Sequence, residues 1–574
     1  APGTAPGSGD ATAGSPTWRH GVVAADHELA SRAGVEILRR GGNVVDAAVA
    51  TGFALSVLRP ASSGIGGGGF MVIWDAKAQQ AVVIDYREQA PLRASRDMFA
   101  PPGLEPAAGT AAEEARSSRS VPSSLYGGLS VAVPGHVAGL CFALERFGTM
   151  SLSEVIAPAL RLAEHGAPAD PQTVAAQKRA FQRIADAPDG DRRFRQLTRW
   201  YLNGGKPLRV GERVVSPQAA VLRRIARCGR SGFYAGPVAG DIIRTVQADG
   251  GLITQADLRM VKPVVREPVR GRCGPYEIIS MPPPSSGGVA LVEILNILEA
   301  YEAAHLEGRL ERLGQNSPAY LHLLIEAMKH AFADRASYLG DADFAQVPVQ
   351  RLISRTYAAA RARQIRADRT QPPAAYGGAQ TPSDQGTSHF SVIDAQGNAV
   401  ACTETINATF GSLLVTPRFG IVLNNEMDDF AARPGQPNLY GLIQSEANAV
   451  APRKRPLSSM TPTIVLQNGR AVHVLGASGG PRIISTTVQV LLNLVRFDMT
   501  PRQAVDQPRV HHQWFPDEAY VEPPLFAAVR EELERRGHRV LRRKALAVCQ
   551  VASRLKGRLR GAADRRKHGR AAGW

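Results

Sequence analysis

The spacing of apolar and polar positions divides the chain into a helix-rich first part and a strand-rich second part. The pattern becomes regular near Val22, and Asp26 is placed to cap a helix that runs through Arg40 and stops at Gly41-Gly42. Asn43 is placed to cap a second helix of small residues, VVDAAVATGFAL. FMVIW (70–74) and AVVIDY (81–86) flank a polar turn and predict a hairpin. Residues 100–125, rich in Pro, Ala and Ser, read as loop, and from Pro134 to about residue 375 the pattern is mostly helical. Its clearest helix is AYLHLLIEAMKHAFADRASYL, with Ser317 as cap and Pro318 at the first position. Beyond residue 386 the period changes. HFSVI and AVACT predict a hairpin across DAQGN, RFGIVLNN a further strand, and TIVL and AVHVL a hairpin across an Asn-Gly turn. Pro481 opens a last apolar helix, RIISTTVQVLLNLV. Sheets covered by helices follow, an α+β layered architecture.

About twenty residues, RADRTQPPAAYGGAQTPSDQ, lie between the two parts and show neither period. A loop of that length inside a compact protein is uncommon and is usually functional or disordered.

Composition narrows the class. With 574 residues and a near-average apolar fraction the chain can bury a large core, and no run approaches eighteen uninterrupted apolar residues, so no membrane span is expected. The formal charge of +17 invites a polyanion-binding reading, but the basic residues are scattered; only RLKGRLRGAADRRKHGR (554–570) is dense, and it reads as a solvated basic surface rather than a nucleic-acid site. Cys141, Cys228, Cys273, Cys402 and Cys549 are odd in number and never spaced C-x-x-C, which supports neither a disulfide framework nor a zinc ribbon; they read as core thiols. The opening APGTAPGSGDATAGSP is linker-like, so residues 1–20 are expected to be a flexible segment left after removal of a secretory signal, and the protein to be periplasmic or secreted.

Three motifs suggest chemistry that their context disfavours. GIGGGG (64–69) satisfies G-x-G-x-x-G, yet it leads into a strand and not a helix, so a tight backbone passage is the better reading than a nucleotide site. His322, Glu326 and His330 share a helix face but lack the HExxH spacing, and they read, like the pair His511-His512, as structural. Gly476-Ala-Ser478-Gly-Gly480 matches G-x-S-x-G, with Asp498, Asp506 and His511 or His538 following in the order of a serine hydrolase. The preceding strand, however, arrives from a hairpin and is antiparallel to its neighbour, whereas that fold needs a largely parallel sheet.

Thr387 offers a different chemistry. Cleavage of the Gly386-Thr387 bond would give one residue both a hydroxyl nucleophile and, in its new α-amine, a base. Such an amine titrates at about 7.7 to 8, close to working pH, and needs little tuning. Gly386 has no Cβ to obstruct approach to its carbonyl. The wider sequence carries the same idea: GTSHFSV, NNEMDDF (424–430), KRPLSSMTPT (454–463) and GASGGPRIIST (476–486), together with GGNVVDAAVA, the glycine run, IDYREQAP and EAMKHAFADR, resemble the γ-glutamyltranspeptidase (γ-glutamyltransferase) family of N-terminal nucleophile hydrolases, from about residue 20 to the C-terminus.

That resemblance implies a four-layer αββα sandwich with two stacked, largely antiparallel sheets. It implies a precursor cut at Gly386-Thr387 into a large subunit, 21–386, and a small subunit, 387–574, which remain together as a heterodimer. By similarity, Arg87 would pair with the α-carboxylate of a γ-glutamyl group, with Ser458 and Ser459 hydrogen-bonding it; Asn407, Glu426 and Asp429 would take the α-ammonium. The N–H groups of Gly479 and Gly480 would form the oxyanion hole, Thr405 would orient Thr387, and Tyr440 would cover the pocket as a lid. Glutathione is the donor so implied and water, amino acids or peptides the acceptors, with no metal, cofactor or nucleic acid. Ser388 and the Arg after Asp564 depart from what many relatives carry. Two other readings compete: an acylase for glutaryl-type amides, such as a cephalosporin acylase, and an inactive basic polyanion-binding protein that has kept the fold.

Overall fold

The computed structural model describes residues 16–99, 123–376, 386–431 and 445–574. Two seven-stranded sheets, each antiparallel throughout, lie face to face. Edge to edge, the first runs Arg570–Gly573, Gly21–Ala25, Ser388–Asp394, Ala399–Thr405, Gly68–Asp75, Gln80–Asp85 and Val264–Arg266. The second runs Thr17–Trp18, Arg558–Ala563, Val548–Leu555, Arg470–Ser478, Thr463–Gln467, Tyr276–Ser280 and Val269–Cys273. Helices Glu28–Arg39 and Val44–Leu58 cover the outer face of the first sheet, and Gly287–His305 and Arg482–Val495 that of the second. This is the αββα sandwich.

Alternation along the strands sorts the side chains into layers. Val23, Ala25, Phe390, Val392, Val400, Cys402, Met71 and Ile73 join the cluster under the first pair of helices. Their neighbours Val22, Ile393, Ala399, Ala401, Phe70 and Val72 pack into the cluster that joins the two sheets and the second pair of helices.

Local signals account for many element ends. The Asn43 side chain accepts from the N–H groups of Val45 and Asp46, and Asp46 returns the bond to the Asn43 N–H. Ser317 caps helix Pro318–Tyr338. Asn468 and Gly469 both have positive φ, as a two-residue hairpin turn demands. The glycine run is the predicted close passage: a Cβ at Gly66 or Gly67 would collide with the carbonyl oxygens of Val422 and Thr405.

Other readings need correction. His27, not Asp26, caps the first helix, because the Asp26 carboxylate is buried against Gln550 and Lys567. RFGIVLNN forms no strand beyond a bridge between Val415 and Val422, since Asn424 binds the backbone of Gly66 and Ala132 instead of a ladder. The mostly helical stretch contains the strands Val264–Arg266, Val269–Cys273 and Tyr276–Ser280. Thr17–Trp18 pairs with Arg560 and Leu559, so order begins inside the segment read as flexible. Cys228 is exposed, whereas the other four cysteines are buried, and none is in a disulfide. No described helix is long and apolar enough to cross a membrane.

Candidate active site

Thr387 sits immediately before the strand Ser388–Asp394, in phase with His389, Ser391 and Ile393, on the face turned toward the second sheet. The packing there is close: His389 lies against Gly476, where any side chain would collide with its ring, and Ser391 Oγ donates to the Gln550 carbonyl at 3.2 Å. Burial lowers His389 to about 3, so it is a neutral imidazole held by Thr403 and Ser391. Because Ser388 pairs with Glu404, Thr387 falls opposite Thr405, and their hydroxyl oxygens are 3.4 Å apart. Both hydroxyls donate to the Gly386 carbonyl. The Asn407 N–H in turn donates to Thr405 Oγ1 at 2.8 Å, fixing the second hydroxyl. Gly386 has φ +121°, and a Cβ there would collide with the Asn407 carbonyl; this position accepts only glycine.

A small cavity opens beside Thr387. Thr405, Asn407, Asp429, Ser458, Ser459 and Gly480 line it, and so do two arginines, Arg87 and Arg335. The fold thus brings most of the sequence-predicted residues to one place. Glu426 stands one layer back, fully buried against Arg87, and does not reach the cavity wall. Gly479, with φ +139°, faces a second cavity on the other side of Thr387. Tyr440 lies outside the described residues.

The two arginines are in opposite electrostatic states. Arg87 is 2.7 Å from Glu426, 2.5 Å from Asp429 and 3.6 Å from Glu88. Burial alone would lower it, yet these carboxylates hold it above its ordinary value. Burial in turn raises Asp429, raises Glu426 well above the carboxylate range and brings Glu88 to about 8. Arg335, equally buried, makes no ion pair among the described residues. Its Nε donates to Ser286 Oγ at 2.9 Å, one Nη to Ser459 Oγ at 3.4 Å, and the other Nη has no partner; burial lowers it to about 10.

Sequence reasoning missed two residues here. Arg335 stood inside the quoted stretch EAMKHAFADR without a role. Lys567 was read as part of a solvated basic surface; it is buried, pairs with Asp26, and donates to the Thr387 carbonyl at 2.6 Å. Neither has a local signal, since its partners are distant in sequence.

The disfavoured motifs stay apart from this site. His511 binds Ser485 and Gln513, not Ser478, so no serine triad assembles. His322 packs against His538, with ring nitrogens 2.7 Å apart, and His330 leans on the Tyr376 ring. His322, Glu326 and His538 come close enough for a shared ion, but Glu326 already accepts from Thr370 and Tyr376, and His322 Nε2 is bonded to the Arg366 carbonyl.

A threonine at the head of a central strand, in an αββα sandwich and behind an obligatory glycine, defines an N-terminal nucleophile hydrolase. The chain belongs to the γ-glutamyltranspeptidase family: the model of that family, Gamma-glutamyltranspeptidase, matches residues 30–574. The glutathione hydrolase proenzyme of Escherichia coli (strain K12) is 40% identical over 552 residues, covering 96% of this chain and 90% of its own length. An acylase ACY 1 proenzyme of Pseudomonas sp. (strain SE83) is 38% identical, covering 96% and 92%. Among solved structures, a cephalosporin acylase from Bacillus halodurans superposes with a TM-score of 0.84 at 28% identity, over 100% of this chain and 99% of its own. The γ-glutamyltranspeptidase of Helicobacter pylori gives 0.53 at 38% identity, over 60% of this chain and 92% of that one.

Proposed function

We propose that the protein cleaves itself at Gly386-Thr387 and then, through a γ-glutamyl-Thr387 ester, transfers the γ-glutamyl group of glutathione and related donors to water, amino acids or peptides. The observation that carries this reading is the pairing of Thr387 and Thr405 on the wall of a cavity that also presents Arg87, Arg335 and Asp429. In the cut protein the α-amine of Thr387 takes the proton from its own Oγ as Oγ attacks the γ-carbonyl. The N–H groups of Gly479 and Gly480 receive the oxyanion, a contribution of about 3 to 4 kcal/mol for each donor. The leaving amine departs with the proton, and water or an incoming amine resolves the ester. None of these steps calls on a metal or an organic cofactor.

The substrate's head group is a zwitterion, and the cavity offers both signs. Its α-carboxylate can meet the open Nη of Arg335 together with Ser458 and Ser459, while Arg87 adds its charge from across Asp429. Its α-ammonium can meet Asp429 and the Asn407 amide. A glutaryl group has no ammonium to meet Asp429, which favours the γ-glutamyl reading over the acylase one. Two subunits, 21–386 and 387–574, that stay associated through shared sheets belong to the same proposal, as does export to the periplasm or medium, supported by the small-residue composition of residues 1–16.

The test is a denaturing gel of wild type beside Thr387→Ala, with turnover of γ-glutamyl and glutaryl anilides. Wild type should run as pieces of 386 and 188 residues (574 − 386) and prefer the γ-glutamyl anilide; the variant should stay whole and inactive. An unbroken wild-type chain with full activity would refute the mechanism, and preference for the glutaryl anilide would establish the acylase reading.

A further inference from the structure

The two most exposed large hydrophobic side chains among the described residues are Val210, at 62%, and Val215, at 55%, and both stand on one hairpin. That hairpin is fixed at its base. Arg213 and Val214 pair with Pro168 and Ala167, the Gly211 N–H donates to the Ala169 carbonyl at 2.7 Å, and the Ala169 N–H donates to the Glu212 carbonyl at 2.7 Å. From the side of the body, the buried Gln177 amide accepts from the Leu208 N–H at 2.7 Å and donates to the Lys206 carbonyl at 3.0 Å. Of residues 203–211 only Leu208 is buried, and the others are exposed. The tip projects from the body: a Cβ added at Gly204 or Gly211, both at positive φ, would meet no atom within 4 Å. The loop is therefore a built protrusion that presents its side chains to the surroundings.

The same stretch is cationic. Lys206, Arg209 and Arg213 are exposed and in no ion pair among the described residues, although Arg213 spends one Nη on the carbonyls of His165 and Gly166. Its single acid, Glu212, is turned back on the hairpin, accepting from the Arg209 N–H at 3.1 Å and the Asn203 amide at 3.2 Å. An exposed valine alone, or a solvated cation alone, needs no explanation. Together on a projecting tip they narrow the partner. A soluble polyanion would meet the cations and leave the valines in water, and an apolar groove on another protein would do the reverse. An anionic lipid surface takes both, with methyl groups at the headgroup boundary and cations at the phosphates. We propose that the hairpin 203–215 docks the folded protein on an anionic lipid surface, Val210 and Val215 entering the headgroup region while Lys206, Arg209 and Arg213 meet lipid phosphates. The contact is peripheral, since no described helix is long and apolar enough to cross a membrane. It is independent of the chemistry at Thr387.

The experiment sediments the whole protein with vesicles of equal parts phosphatidylglycerol and phosphatidylcholine, and with vesicles of phosphatidylcholine alone, at about 0.1 M salt, where charges more than about 10 Å apart are screened. Wild type should pellet with the anionic vesicles, stay in solution with the neutral ones, and be released as salt rises. Lys206→Gln/Arg209→Gln should weaken the partition about 25-fold, about fivefold for each cation. Val210→Ser/Val215→Ser should weaken it about tenfold on the same vesicles. Lys556→Gln/Arg558→Gln removes as much charge from the turn between the strands Val548–Leu555 and Arg558–Ala563, and should stay within about twofold of wild type. Unchanged denaturant midpoints establish that the variants are folded. A wild type that stays in solution with both vesicles or pellets without any, a valine variant that partitions as wild type does, or an equal loss from Lys556→Gln/Arg558→Gln overturns the inference.

Discussion

Arg87 is the point at which stability and substrate recognition meet, and Arg87→Gln separates them. Its guanidinium is about 1% exposed and faces three carboxylates, Asp429, Glu426 and Glu88, at 2.5, 2.7 and 3.6 Å. Glutamine keeps much of the volume and a hydrogen-bonding end but removes the charge, leaving the acids facing one another in a dry interior. Removing one partner of a buried ion pair costs about 3 to 5 kcal/mol, because the remaining charge is uncompensated. The acids can relieve that cost by taking up protons. Burial already raises Glu88 from 4.5 to about 8 and lifts Glu426 well above its ordinary value, and Arg87 is the group that pulls both back down. The sign follows from linkage. A carboxyl whose folded pKa exceeds its unfolded one keeps a proton that the unfolded chain releases, so its contribution falls as pH rises from the unfolded value toward the folded one. For Glu88 that window is 4.5 to about 8 in the wild type, and loss of Arg87 extends it upward.

The measurement is denaturant unfolding in a Thr387→Ala background, which keeps one continuous chain and removes subunit dissociation from the signal. Arg87→Gln should lose the full 3 to 5 kcal/mol at about pH 8.5 and clearly less at about pH 5.5, where the acids stay protonated. A loss of equal size at both values, or none, would refute the claim that Arg87 acts as counter-charge to this cluster.

Two further substitutions probe the site. Gly386→Ala should leave the precursor uncut on a denaturing gel, since both the positive φ and the Asn407 carbonyl exclude a side chain there. Arg335→Gln should raise KM for the γ-glutamyl donor about tenfold or more with a smaller change in kcat, as expected when a charge-assisted contact to the bound head group is lost; an unchanged KM in a folded, self-cleaved variant would remove Arg335 from recognition.

What could be read from the chain was what local chemistry dictates. Asn43 with Asp46, Ser317 with Pro318, and Asn468 with Gly469 each state an element boundary within a few residues, and each is where it should be. Thr387 was legible because a strand begins abruptly behind a glycine and a long patternless loop. Gly21–Ala25 was not: all five residues are buried, so neither a helical nor an alternating period marks the strand. The three strands between 264 and 280 are only three to five residues each and carry exposed or half-exposed charges, which hides them in a helical stretch. NNEMDDF marked Glu426 and Asp429 as candidate site residues, and both fall on one short turn, Glu426–Asp429, but their partner is Arg87, 339 residues before Glu426 (426 − 87), and only the fold reveals that both acids are engaged by it.

The same long-range logic explains how a chain can be cut at its nucleophile without releasing it. Lys567 donates to the Thr387 carbonyl at 2.6 Å and is itself held by Asp26. Asp26 follows the strand Gly21–Ala25, which lies between the strand after Thr387 and the strand after Lys567 in one sheet. Thr387 is therefore moored on its C-terminal side by a buried ion pair and a ladder of backbone bonds, while the residue on its N-terminal side is a glycine in a conformation that other residues avoid. Breaking the Gly386-Thr387 bond frees an amine and leaves the hydroxyl where the sheet put it. The carbonyl that Oγ faces before the cut and the substrate carbonyl that it meets afterwards can then occupy the same place, which lets one geometry serve both maturation and turnover.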